Sequence, residues 1–261
     1  MSFKLSIIMP AFNEEATIEA IVRKVMKYND VHQLIVINDA STDRTPEILK
    51  SLAEEFHCIE VIHHLNNSGK TAALKLGFTL ISGNVVVIQD ADLEYDPEEI
   101  PALIEPIVKG LADVVYGSRF RIRKTGRVMY FYHYLANVML TFISNLFTNL
   151  NMTDIETCYK AFKSPILQNI TITSKGFGIE IELTAKIAKL KGVRVFEVPI
   201  SYYGRSYEEG KKILISDGMW ALWYIFKYNC FCSIKKSFSL PHQEILKQFK
   251  TVNKFGSDAQ K

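Results

Sequence analysis

The 261 residues include only four cysteines, Cys58, Cys158, Cys230 and Cys232. None of their spacings matches a zinc site, and Cys-x-Cys alone is a weak signal. A disulfide-dense scaffold is excluded, and the thiols read as reduced ones in a cytosolic setting. No G-x-G-x-x-G follows the first apolar run, which argues against a dinucleotide-binding Rossmann unit. The spacing G-x-x-x-x-G-K-[ST] is also missing, so the phosphate loop of nucleotide triphosphatases is excluded. Neither sign of charge dominates: 31 basic residues face 28 acidic ones, a net +3. That balance gives no reason to expect nucleic acid as a partner. The stretch MSFKLSIIMPAFNEE passes from a short apolar run straight into polar residues and reads as lacking a signal peptide.

Apolar residues make up 48% of the chain, enough for a globular core and too many for a disordered segment. At this length folding buries roughly three quarters of the unfolded surface. The charge is unevenly spread. Residues 201–261 carry 10 Lys/Arg against 5 Asp/Glu, and Arg119, Arg121, Arg123, Lys124 and Arg127 form a second basic cluster. Both suggest phosphate or an anionic membrane surface as a partner, or else a solvated face.

The first 116 residues alternate strand and helix about four times. Lys4–Met9, Gln33–Ile37, Glu60–His63, Asn84–Ile88 and Asp113–Tyr116 are short apolar or β-branched runs. Between them, Ile18, Ile21, Val22, Val25 and Met26 follow helical spacing, as do Ile48, Leu49, Leu52, Ala53 and Phe56. Residues 70–81 and 100–108 read as further helices. Runs apolar on both faces, separated by helices, predict an α/β fold with a mostly parallel sheet covered on both sides. Ligands of such sheets bind at the carboxyl ends of the strands.

Four polar segments fall at that edge: PAFNEE at 10–15, NDASTD at 38–43, NSGK at 67–70 and QDADLEYD at 89–96. Asp90 and Asp92 are the sharpest pair. At i and i+2 of extended chain they point to one side, and two carboxylates there suit Mg²⁺ or Mn²⁺ with room left for phosphate oxygens. Asp39 could hold the base or ribose of a nucleotide. Gly69-Lys70 opening a helix suits an anion. Taken singly, Asn13 or Asp39 could equally serve a cap or an Asx turn. Asp96 before Pro97 reads as a helix cap.

PAFNEE, NDASTD, NSGKTAAL, QDADLEYDP and GSR at 117–119 together resemble, in order and spacing, the family two glycosyltransferases with the GT-A fold, and within them the polyprenyl-phosphate (dolichyl-phosphate) sugar transferases. The resemblance spans roughly residues 3–230. It implies a nucleotide-diphosphate sugar donor, UDP- or GDP-linked, lying across the strand ends. It implies a nucleoside pocket of Pro10, Phe12, Glu14, Ile37 and Asp39, and places Asp90, Ala91, Asp92 and Glu94 around the metal and diphosphate. Arg119 would reach donor or acceptor phosphate, and YGRSYEEGKK at 203–212 makes Arg205 and Lys211 phosphate candidates. Two positions depart from the family: Asn38 stands where an Asp is commoner, and Glu94 where some members have Gln.

From Val128 to Thr153 there is no Asp, Glu, Lys or Arg. His133 and four Asn make a lone membrane span a poor reading. A helix pair lying in the membrane interface or facing the acceptor fits better, with buried core as the alternative. The aromatic stretch at 217–231 is likewise interfacial or core. The expected organisation is a catalytic domain over 1–210, an amphipathic aromatic and basic helix over 211–240, and a polar mobile tail over 241–261.

The expected reaction is inverting, metal-dependent transfer of a hexose to a polyprenyl phosphate by a protein attached peripherally to the cytoplasmic face of the membrane, directly or through a membrane-protein partner. A phosphate acceptor is already anionic near neutral pH and needs no general base. A glycan hydroxyl acceptor would need one, with Asp154 first and Glu180 second as candidates. A nucleotide-sugar-binding protein without turnover is the remaining alternative.

Overall fold

Successive residues of a strand point to opposite faces of a sheet, and here both faces are apolar. In β1 (Leu5–Ala11), Leu5, Ile7 and Met9 enter one buried layer and Ile8 the other. β2 (Val31–Asn38) divides in the same way, Leu34 and Val36 against Ile35 and Ile37, as does β4 (Val85–Ile88), Val85 and Val87 against Val86 and Ile88. Such strands are stable only when covered on both sides. The first layer is filled by α1 (Ile18–Met26), α2 (Thr45–Glu55) and α4 (Ile100–Val108). The second is filled by α3 (Lys70–Thr79), the short α6 (Ser164–Asn169), α7 (Ile179–Ile187), α8 (Ile215–Cys230) and α10 (His242–Ser257). This computed structural model describes residues 3–121, 127–205 and 215–257.

With β3 (Ile59–His63), β5 (Val114–Ser118), β6 (Lys160–Lys163) and β7 (Val195–Pro199), the sheet has seven strands in the order β3-β2-β1-β4-β6-β5-β7. The α/β reading holds, with one exception to the parallel rule: β6 runs antiparallel to both neighbours, pairing Ile88 with Lys160 on one side and Tyr116 with Lys160 on the other. That reversal matters for function. The start of β6 lies at the carboxyl ends of β4 and β5, so the loop before it shares an edge with Asp90. α3 approaches β1 closely, because a Cβ on Gly77 would sit 2.5 Å from Ile8 Cγ2.

Three expectations are corrected. Residues 128–153 do not form a helix pair. They form one helix, α5 (Phe131–Thr148), closed by Asn149 in the left-handed conformation, and then an irregular loop. The expected tail contains α10, which buries Ile245 and Phe249 against the core. The two apolar residues are four apart on one helical face, a spacing that overrides the polar residues around them. Within 211–240, α8 is followed by the separate four-residue helix α9 (Ile234–Ser237). Asp96 does cap, accepting from Glu98 N at 3.2 Å ahead of the turn Pro97–Glu99.

Candidate active site

The loops after β1 and β2 are laced together. Asn13 N donates to Ser41 Oγ, Glu14 N to Thr45 Oγ1 and Glu15 N to Asp43, while Thr42 N donates to Asn13 Oδ1. Asn13, Ala40 and Leu93 have positive φ. These are three of the four non-glycine residues with positive φ among the described residues, and each lies on a loop at the carboxyl edge. Strain of this kind collects where a surface is shaped for a ligand.

Asp39 is buried and fully engaged. Its carboxylate accepts from Ser68 N at 2.9 Å, Gly69 N at 2.7 Å and His64 Nδ1 at 2.6 Å. The two amides just ahead of α3 are therefore answered from within the chain. His64 was missed by sequence reading, although it too follows a strand. Pro10 and Phe12 lie half-buried at the end of β1, whereas the side chains of Ile37 and Ala91 belong to the two core layers.

Lys70 turns to the centre of the edge. Its ammonium lies 2.8 Å from Asp90, 3.3 Å from Glu180 and 2.9 Å from Cys158 Sγ. Burial opposes its charge most strongly, but the Asp90 carboxylate together with Cys158 and Glu180 outweighs it and holds the group protonated. Glu180 also faces Lys160 at 3.8 Å. Lys160 is itself fully buried, donates to the carbonyls of Ile155 and Thr157, and lies over the Tyr116 ring.

Asp92 is beside this cluster. Burial, then the carboxylates of Asp90 and Glu94, push its carboxyl up to about 7. Glu94 is not poised with the pair around a cation. One of its oxygens accepts from the Tyr202 hydroxyl at 2.8 Å and the other from Arg205 N at 2.7 Å. Among the described residues no group of three or more His, Cys, Asp or Glu is arranged to hold a metal. Arg205 in turn grips Glu14 at 2.7 Å and the carbonyl of Asp92 at 2.9 Å. Two expected ligand contacts, Glu14 and Arg205, thus bind each other and strap residues 199–205 across the site.

Arg119 and Asp154 also find each other. The guanidinium meets both carboxylate oxygens, at 2.7 and 2.8 Å, and Arg119 N adds a third bond at 3.1 Å. The Asp154 side chain is wholly buried and that of Arg119 nearly so, with its guanidinium between the Phe120 and Tyr202 rings. The expected phosphate arm and the expected base are one internal pair. Glu180, the second expected base, is held by two lysines. Lys211 lies outside the described residues, as do Arg123 and Lys124.

The strand-end carboxylates, Lys70 and the strap bring oxygen donors and cations together at one edge of the sheet. Such an edge can take a diphosphate with a divalent ion. Residues 6–171 match the family described as glycosyl transferase family 2. An undecaprenyl-phosphate mannosyltransferase from Micrococcus luteus is 31% identical over 214 residues, covering 78% of this chain and 85% of that one. A dolichol-phosphate mannosyltransferase from Pyrococcus furiosus is 29% identical over 80% of this chain, which spans only 59% of that protein's length. Among solved structures, the glucosyl-3-phosphoglycerate synthase of Mycobacterium tuberculosis, in complex with Mn²⁺ and uridine diphosphate, superposes with a TM-score of 0.68 at 21% identity, covering 87% of this chain and 80% of that one.

Proposed function

The chain belongs to glycosyl transferase family 2, and from that premise we propose that this glycosyltransferase moves a hexose from a nucleotide-diphosphate sugar to a polyprenyl phosphate, with inversion at the anomeric carbon. One observation carries the choice of acceptor. Asp154 and Glu180, the two acids expected from the sequence as bases for a hydroxyl, are committed to Arg119 and to Lys70 and Lys160. A phosphate oxygen attacks without a base. The relatives named for polyprenyl-phosphate transfer support the same reading. In a single displacement the acceptor enters opposite the leaving diphosphate, which gives inversion. Pro10, Phe12 and Glu14 flank the nucleoside, Asp39 shapes that pocket by holding residues 68 and 69, and Lys70 and Arg205 supply positive charge to the phosphates.

The residues present fit a Mg²⁺ or Mn²⁺ ion. Asp90 and Asp92 offer hard oxygen donors, and the crowding that raises the Asp92 carboxyl is relieved by a cation. Two carboxylates with substrate phosphates completing the shell is how such ions are commonly held. When bound, the ion would neutralise charge on the departing diphosphate.

The test is thermal stability against UDP- and GDP-sugars with Mn²⁺, Mg²⁺ or chelator. A donor at 100 times its dissociation constant is expected to add about 2.7 kcal/mol. Turnover is then measured with a polyprenyl phosphate and with a glycan acceptor. Absence of any donor shift, with and without anionic lipid, would sink the reading.

This reading places the protein peripherally on the cytoplasmic face of a membrane. No helix among the described residues is long and apolar enough to cross one. α5 buries Leu140, Thr141 and Ser144 and turns aromatic and apolar side chains outward: Phe131, Tyr132, Phe142 and Leu146 are more than 60% exposed. α8 lies alongside, joined through Phe147 and Phe226 rings 5.2 Å apart, and exposes Trp220 and Trp223. An uncharged, aromatic face beside basic segments suits the headgroup layer. The chain has two tryptophans, both on this face. Their emission is therefore expected to shift to shorter wavelength on adding anionic vesicles and to be quenched by lipids brominated in the acyl chain. Phe142→Asp should weaken vesicle binding at least about tenfold. Unchanged emission would exclude this face as the contact.

A further inference from the structure

Four acids surround the buried cations of the site: Asp90, Asp154, Glu156 and Glu180. Three of them pair with Lys70, Arg119 or Lys160. Among the described residues Glu156 makes no ion pair, and its Oε1 is cut off from solvent with no hydrogen-bond partner. Only two other side-chain atoms among the described residues share that condition. A buried acceptor without a partner is a cost to the fold that calls for an explanation.

The position supplies one. Glu156 lies in the loop before β6, which the antiparallel register carries to the carboxyl edge beside Asp90. Two residues earlier, Asp154 holds Arg119. Two residues later, Cys158 touches the ammonium that binds Asp90. The loop that carries this oxygen thus lies at the edge where a hexose would hang from a diphosphate held at Asp90 and Asp92. Burial, then the neighbouring Glu180, push the Glu156 carboxyl up to about 7. A carboxyl with its proton carries one donor and one acceptor, the same complement as a sugar hydroxyl.

We infer that Glu156 reads a hydroxyl of the donor's hexose ring and so helps to set which sugar is accepted. The inference rests on the transferase reading above and adds a sugar-recognition contact to it. Sites that hydrogen-bond a substrate hydroxyl discriminate strongly, because the analogue lacking it leaves a buried group unpaired.

The test uses the full chain with Mn²⁺ and, as probes, UDP, GDP, UDP-glucose, UDP-galactose and GDP-mannose. For the sugar donor that binds, Glu156→Ala is expected to weaken affinity about tenfold, with affinity for the bare nucleoside diphosphate unchanged. Glu156→Gln, which keeps a donor and an acceptor, should recover most of the loss. Without ligand, Glu156→Gln should melt higher than the parent, since it removes a crowded acid. Equal weakening of sugar-linked and bare nucleotide, no weakening at all, or a lower melting temperature for Glu156→Gln would each overturn the inference. A collapse of kcat with donor affinity intact would make Glu156 a base for a hydroxyl acceptor, overturning the inference together with the phosphate acceptor. A folded parent that binds none of the five probes would overturn the donor class, and the inference with it.

Discussion

Asp92→Asn is expected to lower turnover by roughly 10²–10³-fold while making the ligand-free protein more stable. The two effects have one cause. Asp92 is half-buried beside Asp90 and Glu94, and Arg205 binds its backbone carbonyl rather than its carboxylate. The folded state therefore binds the Asp92 proton more tightly than the unfolded chain does. Ionisation then weakens the fold progressively as pH rises from the ordinary carboxylate range to about 7. In chelator, the stability advantage of Asp92→Asn should accordingly grow across that window and level off above it. With Mn²⁺ and donor, the ordering should reverse, because the parent gains a metal-dependent shift that the variant lacks. Loss of turnover with reduced ligand-free stability would instead mean that Asp92 supports the loop, and the metal assignment would fall.

The same opposition between fold and function explains what could be read from the chain before its structure. Strands and helices through residue 116 were legible because each apolar run has the period of its element, 2 or 3.6. Loops 10–15, 38–43, 67–70 and 89–96 were legible because polar residues directly after buried strands have one destination in a parallel sheet. Pairings across the chain were not. Arg119 and Asp154 are 35 residues apart, Glu14 and Arg205 191 apart, and no local period links either pair. The family resemblance marks Glu14, Arg119 and Arg205 as ligand contacts, and Asp154 reads as a candidate base, since an isolated acid or base at this edge looks available. The antiparallel turn of β6 was hidden for the same reason, and with it the position of Glu156, Cys158 and Lys160. α5 was read for its lack of charge but not for its orientation, because Thr141 and Ser144 gave no hint that they, rather than the aromatics, face inward.

Asp154→Asn separates the two roles proposed for that residue by sequence and by structure. As a general base, Asp154 would be dispensable to folding, and the variant would lose turnover at normal stability. As the buried partner of Arg119, it is the carboxylate that pairs directly with that cation. Removing one member of such a pair leaves the other charge in a low-dielectric site and costs about 3–5 kcal/mol. For a chain of this size that lowers the melting temperature on the order of 10 °C. Arg119 also lies against the Phe120 and Tyr202 rings, and Tyr202 holds Glu94. Loss of the pair should therefore loosen the strap at 199–205 and weaken donor binding as a secondary effect. The double variant Arg119→Met/Asp154→Leu removes both charges at once and should recover much of the lost stability, since apolar replacement of a buried pair is often neutral or better. Thermal unfolding of the parent, Arg119→Met, Asp154→Leu and the double variant measures the coupling directly. A single variant as stable as the parent but inactive would return Asp154 to the role of base and favour a hydroxyl acceptor over a phosphate.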